Sequence, residues 1–307
     1  MNQSPRPAGE AHSPPGAAVM TQGLGVRGPR GWAFSDINIT AAPGALIAVV
    51  GPSGTGRTCL LLALTGRMRI TAGLAEVGEY RLPRQMTAVR RSTGLGPVPG
   101  VSDLEPALTV AEQLRERALL ARRFGGSLRG LLRPRAERAA DSRARIDNAL
   151  SRAGLDLDTL PKGPRTAVRD LERLEALRLS VALALIGCPR LLAVDDADLK
   201  LSAADQARAW SMLRGIADGG TTVLAVCSEP PQGAVVVTTR RADRPREASG
   251  LNATSTTSAA STTSGPGELD GARKSSQTSK TRKTRQDRTA HEHEEGAPDA
   301  IAEAGRA

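Results

Sequence analysis

The sequence predicts an α/β fold in which buried strands alternate with helices. Two continuous apolar runs, residues 45–50 and 222–226, are typical of strands that are buried on both faces. The first run is followed by a glycine-rich segment and then by a helix-like run, residues 59–64. A third apolar run, residues 191–194, follows a long helical segment and ends in two carboxylates. Buried strands that alternate with helices favour a sheet covered by helices.

The glycine-rich segment fits the phosphate-binding pattern G-x-x-x-x-G-K-[ST] at every fixed position except one, where Arg57 replaces the lysine. Its glycines let successive backbone N–H groups turn towards an anion, and the next helix adds its positive N-terminal end. Thr58 supplies the hydroxyl that would bind the magnesium ion accompanying ATP or GTP. A glycine-rich turn that matches the pattern by chance is the alternative. The predicted nucleotide-binding residues are Gly51, Pro52, Ser53, Gly54, Thr55, Gly56, Arg57, Thr58 and Cys59.

The composition disfavours several other kinds of site. Of the 307 residues, 39% are apolar and only 2% are aromatic, so the core must consist of Leu, Val, Ala and Ile. The three cysteines form no C-x-x-C pair and the three histidines lie outside the globular-looking region, which disfavours disulfides and zinc sites. This pattern fits a reducing cytosolic setting. No apolar run reaches about 18 residues, so work at a membrane would require a partner.

The formal net charge of +10 would suit a nucleic-acid partner. The positive charge is, however, scattered as arginine and is not interleaved with aromatic residues that stack on bases. A coding bias towards Arg, Ala, Gly and Leu would produce the same excess. We therefore do not expect nucleic acid as the partner.

Taken in order, residues 1 to about 20 are rich in Pro, Gly, Ser and Ala, which predicts a disordered leader. Residues 32–40 alternate and lead to Pro43-Gly44, a pattern that predicts a strand and a tight turn. Residues 74–77 lie between glycines and suggest a hairpin, and residues 234–237 suggest a last strand. Helices, two of them with a solvated basic face, are predicted at residues 110–121, 136–153, 171–186 and 203–217.

Beyond about residue 243 the chain is first Ser/Thr-rich, then basic and then acidic. Such a composition buries too little apolar surface to offset the entropy of ordering, so a disordered tail is predicted. Its basic block would be solvated, with contact to anionic lipid or nucleic acid as the alternative.

Asp195 is the second candidate for chemistry, because it follows a buried apolar run directly. Nucleotide hydrolases with a phosphate-binding loop place the Walker B carboxylate, which holds magnesium through water, at the end of such a strand. An aspartate in a strand-terminal turn or at a helix cap is the alternative. We predict Thr58 and Asp195 as the residues that hold the metal.

These stretches together resemble the nucleotide-binding domain of an ATP-binding cassette (ABC) protein, over about residues 22–241. The resemblance implies a P-loop NTPase fold: a RecA-like α/β core, an antiparallel β subdomain and a helical subdomain inserted at about 105–175. Residues 1–21 and 242–307 would then be a disordered leader and tail. The stretches that carry the resemblance are residues 51–58, 104–114, 177–189, the run that ends at Asp195, and residues 221–226.

The resemblance also implies ATP and Mg²⁺ as cofactors. It implies two kinds of partner: an integral membrane permease and a second nucleotide-binding domain, in a homodimer or a heterodimer. Within such a dimer, each ATP lies between the Walker motifs of one subunit and the signature loop of the other.

Several positions depart from the family pattern. Arg57 is a planar fork in place of a compact lysine, and Gly100 stands at the position of the Q-loop glutamine. The LSGGQ-type signature loop aligns with residues 171–175, which keep only the leucine. Arg173 and Leu174 replace the glycines that would let backbone N–H groups approach the γ-phosphate, so we expect this segment to repel a triphosphate.

The catalytic glutamate of the family becomes Asp196, which is one methylene shorter. A base displaced by about 1 Å can lose on the order of a hundredfold in rate. The other departures are Ala197 and Asp198 for a proline and a threonine, Ser202 for the D-loop aspartate, Ser228 for the switch histidine, and Gly28, with Trp32 nearby, at the adenine-stacking position.

Because both the Walker side and the signature side are altered, both composite sites of any dimer would be weakened. We therefore predict an ATP-binding subunit of an ABC transporter that couples to a separate permease at the inner face of the cell membrane, with slow or absent hydrolysis. A regulatory or scaffolding pseudo-ATPase of the same fold is one alternative. A nucleic-acid-associated ABC-like protein is another.

Overall fold

The computed structural model of the protein describes residues 16–29, 31–125 and 134–240. Residues 1–15 and 241–307, which include most of the predicted leader and the predicted tail, lie outside the described residues. Within the described part the strands are β1 (Val19–Gly28), β2 (Gly31–Ala41), β3 (Leu46–Val50), β4 (Ala72–Val77), β5 (Tyr80–Leu82), β6 (Thr93–Leu95), β7 (Leu191–Val194), β8 (Thr222–Val226) and β9 (Val235–Thr238). The α-helices are α1 (Arg57–Leu64), α2 (Met86–Ser92), α3 (Val110–Gly125), α4 (Arg135–Ala153), α5 (Arg173–Leu185) and α6 (Ala203–Asp218).

Five of these strands form a parallel sheet in the order β6-β7-β8-β3-β9. Successive side chains of a strand point to opposite faces, so an apolar run places side chains on both. In β7, Leu192 and Val194 pack among the helices, whereas Leu191 and Ala193 pack towards the second sheet. This double burial explains why the strands of the sheet are apolar without alternation.

The second sheet is antiparallel, in the order β2-β1-β4-β5, and it packs with α1 on one face of the parallel sheet. Its central strand β1 begins at Val19, within the segment that the sequence predicts as a leader. Val19 pairs with Ala41 in β2 and with Val77 in β4, and it is fully buried. Several glycines in β1 obscure the strand pattern, and pairing on both sides supplies the order that local propensity does not.

The helices α3 and α4 lie between β6 and α5 in the chain, in the predicted helical insertion. Their buried side chains join one apolar cluster with α5, α6 and the second face of the parallel sheet. The α/β fold with an antiparallel β subdomain and an inserted helical subdomain is therefore confirmed. In the part of the chain that the structure describes, no helix is both long and apolar enough to cross a membrane.

The order of the parallel sheet brings three chain segments to one edge. Strands β7, β8 and β3 are neighbours, so their carboxyl ends open onto the same side of the sheet. The segments that leave these ends are the glycine-rich loop, the pair Asp195-Asp196, and Cys227-Ser228. Ligands of open α/β sheets bind at this edge.

Candidate functional site

The glycine-rich loop is fixed at its base by a buried threonine pair. The hydroxyl of Thr55 lies 2.7 Å from the carbonyl oxygen of Pro52 and 2.7 Å from the hydroxyl of Thr239, directly after β9. Thr239 in turn donates its backbone N–H to the carbonyl of Val50 at 2.8 Å. The exposed top of the loop, residues 52–54, is thus carried on a base that is bonded to two strands.

Two glycines of the loop adopt left-handed backbone conformations, with φ of 79° at Gly54 and 81° at Gly56. A Cβ on Gly56 would lie 2.3 Å from the carbonyl oxygen of Ala33, whereas a Cβ on Gly54 would project into open space. Helix α1 begins directly afterwards, without a side-chain cap and without an acidic residue in its first turn. Within the described residues no side chain caps its first N–H groups, and this arrangement fits a phosphate.

Arg57, at the position of the usual lysine, is bonded to the neighbouring strand end. One terminal nitrogen of its guanidinium donates to the carbonyl oxygen of Cys227 at 3.2 Å. Because a guanidinium carries five N–H donors, this bond leaves others for an anion in the loop. The arginine therefore stays beside the loop, but its position is set by β8 as well as by any ligand.

Thr58 and Asp195, the two predicted metal-binding residues, lie in direct contact. The Thr58 hydroxyl donates to Oδ2 of Asp195 at 2.6 Å, and Oδ1 of Asp195 accepts from the backbone N–H of Asp196 at 3.1 Å. Oxygen ligands of this kind suit Mg²⁺, which is usually bound by one or two protein groups together with phosphates and water. The residues present therefore fit a magnesium ion that arrives with a nucleotide.

Burial raises the pKa of Asp195, a residue that is only 4% exposed. The hydrogen bond from Thr58 opposes this rise, and the charge of Asp196 adds to it. Burial and the charge of Asp195 also raise the pKa of the half-buried Cys59 thiol, one residue after Thr58. A bound cation would lower the pKa of Asp195 instead, because it favours the ionised carboxylate. Asp195 is thus a buried acid whose ionised form is disfavoured by burial and favoured by Thr58 and by the charge of Arg57.

Asp196, the predicted catalytic base, has a left-handed backbone with φ of 48°. Such a conformation is uncommon for a residue with a side chain and tends to occur at functional sites. Asp196 lines a cavity of about 270 Å³ together with Ala197 and with Arg173 at the start of α5. Among the described residues, no hydrogen bond joins its carboxylate to the glycine-rich loop.

Asp198 has a structural contact that sequence reasoning did not find. It is 7% exposed, and its Oδ2 accepts the backbone N–H groups of Ser228 at 2.8 Å and of Glu229 at 3.3 Å. The carboxylate therefore anchors the segment at the switch-histidine position to the turn after β7. Burial, with the charge of Asp198, also raises the pKa of Cys227 to about 12.

The segment that aligns with the signature loop forms a capping box at the start of α5. The Glu172 backbone N–H donates to Oε2 of Glu175 at 2.8 Å, and the Glu172 side chain accepts from the backbone of Glu175. Leu174, at one of the glycine positions, is 8% exposed and packs in the helical core. Two carboxylates of the chain itself thus lie at the N-terminus of α5.

The remaining departures also have local roles. Ser202 caps α6 by accepting the backbone N–H of Asp205 at 3.2 Å. Gly100 lies in a turn with φ of 75° and donates its N–H to Asp103 at 2.8 Å. Gly28 ends β1, and the nearby Trp32 ring lies 5.8 Å from the guanidinium carbon of Arg27.

The protein resembles known ABC proteins in sequence. A family model described as ABC transporter matches residues 34–198. The daunorubicin resistance ATP-binding protein DrrA3 of Streptomyces coeruleorubidus is 32% identical over 62% of this chain and 54% of that protein. The arabinose import ATP-binding protein AraG of Pseudomonas savastanoi pv. phaseolicola is 28% identical over 68% of this chain and 38% of that protein. The chain thus spans about half or less of these relatives.

Solved structures give the same assignment for the fold. The dimeric ATP-binding cassette MJ0796 bound to ADP and Pi has a TM-score of 0.56 and 17% identity, over 73% of this chain and 94% of that chain. Clostridium perfringens cbiO1, part of an ABC transporter complex, has a TM-score of 0.54 and 18% identity, over 70% of this chain and 79% of that chain. These identities establish the fold alone. Since the family model covers more than half of the chain, the protein belongs to the ABC transporter family.

Proposed function

We propose that the protein is an ATP-binding subunit of an ABC transporter and that it binds Mg-ATP at the loop between β3 and α1. The observation that carries this proposal is the 2.6 Å contact between Thr58 and Asp195, beside the N-terminus of α1, which has no side-chain cap. Bound magnesium would neutralise phosphate charge. The loop N–H groups and Arg57 would bind the phosphates, while Thr58 and Asp195 would orient the metal.

The partner that we propose is a separate integral membrane permease, with a second nucleotide-binding domain completing the dimer. The names of two similar proteins, an arabinose import protein and a daunorubicin resistance protein, describe ATP-binding proteins of transport or resistance. The protein would then lie in the cytoplasm, at the inner face of the membrane. Co-purification with a multi-span membrane protein supports this proposal, and salt-sensitive binding of RNA or DNA instead contradicts it.

We further propose that hydrolysis by this chain alone is slow or absent. Two carboxylates, Glu172 and Glu175, bond each other's backbone N–H groups at the α5 N-terminus, and their negative charge would disfavour a phosphate of the partner's nucleotide there. Asp196 is a methylene shorter than the usual glutamate, and Ser228 replaces the imidazole. A regulatory pseudo-ATPase of the same fold is the second candidate, and the two carboxylates at the N-terminus of α5 favour it.

Steady-state turnover of the purified full chain tests the proposal on hydrolysis. We expect less than about one turnover per second, a rate at the low end of enzymes in general. Asp196→Asn is the matched variant, because it removes the base and retains the size of the side chain. Faster turnover in the wild type that Asp196→Asn abolishes would contradict the proposal.

A further inference from the structure

A second cavity, of about 290 Å³, lies between β6 and the helices α3 and α5. Two arginines of separate elements line it: Arg67, which follows α1, and Arg117, on α3. Neither residue belongs to the nucleotide site described above. The remaining lining includes apolar side chains such as Leu95, Leu104 and Leu183.

Each arginine uses only part of its hydrogen-bonding capacity within the protein. One terminal nitrogen of Arg67 donates to the carbonyl of Thr65 at 2.9 Å and to the hydroxyl of Thr93 at 3.0 Å. Nε of Arg117 donates to the carbonyl of Leu183 at 3.0 Å. Since each guanidinium has five donors, both retain N–H groups for another acceptor.

No carboxylate within the described residues lies within ion-pair distance of either guanidinium. Burial, together with the charges of Arg117 and Arg90, lowers the pKa of Arg67 to about 10. Burial also lowers the pKa of Arg117. Two partly buried like charges that repel one another are stabilised by an anion between them.

We propose that this cavity binds a free small oxyanion, of the carboxylate or phosphate class, between Arg67 and Arg117. Guanidinium forks match both groups through paired N–H donors. The apolar part of the lining would accommodate the short carbon body of an organic anion. Asp103 lies at the rim, where its Oδ2 accepts the N–H of Gly100, and its charge weakens the binding of an anion.

The test is a titration of the full chain with inorganic phosphate and, separately, with succinate, at constant ionic strength. The melting temperature reports saturable binding, because a ligand of the folded state stabilises it by mass action. We expect at least one probe to bind, and Arg67→Gln or Arg117→Gln to raise its Kd about tenfold or more, as loss of a charge-assisted hydrogen bond does. The probe that binds more tightly identifies the class of anion.

Matched variants separate this cavity from other anion sites. Arg115→Gln, an exposed residue on the same helix, should leave Kd within about twofold, whereas Asp103→Asn should lower it. Arg117→Lys keeps the charge without the fork and should give an intermediate Kd if Arg117→Gln does not fold. The proposal is overturned if neither probe binds saturably, if Arg117→Gln binds as the wild type does, or if Arg57→Ala alone removes the binding.

Discussion

The hydrogen bond between Thr58 and Asp195 joins the start of α1 to the end of β7 and places two oxygen atoms beside the phosphate-binding loop. Sequence reasoning predicted both residues, because each follows a buried strand in a recognisable pattern. It did not find the contacts of Thr239 and Asp198, which fix the loop and the segment after β8. Their contacts join positions far apart in the chain, and no local pattern marks such a pair.

Replacing Thr58 by alanine should weaken binding of ATP in the presence of magnesium by about tenfold or more, since a ligand of a charged group is lost. Without magnesium, the affinity should change little, because the loop N–H groups and Arg57 remain. Calorimetric titration with and without magnesium measures both values. Thr58→Ser retains the hydroxyl and should bind as the wild type does; equal losses under the two conditions would contradict this role.

The raised pKa of Asp195 predicts how stability depends on pH in the absence of nucleotide and metal. A carboxyl with a raised folded-state pKa binds its proton more tightly in the folded than in the unfolded state. Its ionised form therefore destabilises the fold at pH values above the raised pKa. This penalty disappears as the pH falls through the raised pKa towards 3.8, the usual pKa of the group.

Asp195→Asn should accordingly raise the melting temperature at neutral pH, by about 2 to 4 °C for each kcal/mol gained. The difference in melting temperature between Asp195→Asn and the wild type should shrink as the pH is lowered. Thermal unfolding from pH 8 to pH 4.5 checks this trend. A lower melting temperature of Asp195→Asn at neutral pH would show that the carboxylate is stabilised by its surroundings.

Among the elements, α5 is the helix that begins at the segment aligned with the signature loop in the sequence analysis. Its capping box is built from Glu172 and Glu175, each of which bonds the backbone N–H of the other. Glutamate at the cap position is not among the preferred N-cap residues, so the sequence pattern did not reveal the box. The start of α5 is therefore capped by residues of this chain alone.

Glu175→Ala should remove one half of the capping box and lower the free energy of unfolding by about 1 kcal/mol. Glu175→Gln retains a hydrogen-bond acceptor and should lower the free energy of unfolding by less than Glu175→Ala does. Urea denaturation followed by circular dichroism measures both changes. Glu116→Ala, at an exposed position of α3, is the control, and a loss there as large as at Glu175 would contradict a specific role for the box.

Most elements could be predicted from the sequence, because buried strands and amphipathic helices have periodic patterns. The predicted strand at residues 222–226 and the helices at 136–153 and 203–217 match β8, α4 and α6 closely. Strand β1 was assigned in part to the leader, and β6 and α2 were not found. These three are short or glycine-rich, so tertiary pairing decides their structure more than local propensity does.

At the scale of the whole molecule, the fold is that of an ABC nucleotide-binding domain, and we propose that both halves of its composite ATP site are altered. The self-capped α5 predicts that ATP alone does not drive this chain into a homodimer. We expect sedimentation of the full chain with Mg-ATP to give a monomer. Asp196→Asn, which would prevent turnover during the run, should also remain monomeric; a doubling of mass that depends on ATP would contradict this expectation.

The central claim is that the loop between β3 and α1 binds Mg-ATP, and calorimetric titration of the full chain with ATP and magnesium tests it most directly. The account predicts saturable binding that Arg57→Ala weakens by about tenfold, the loss expected for one charge-assisted contact to phosphate. An absence of saturable binding by the wild-type chain, under conditions in which it is folded, would contradict the account.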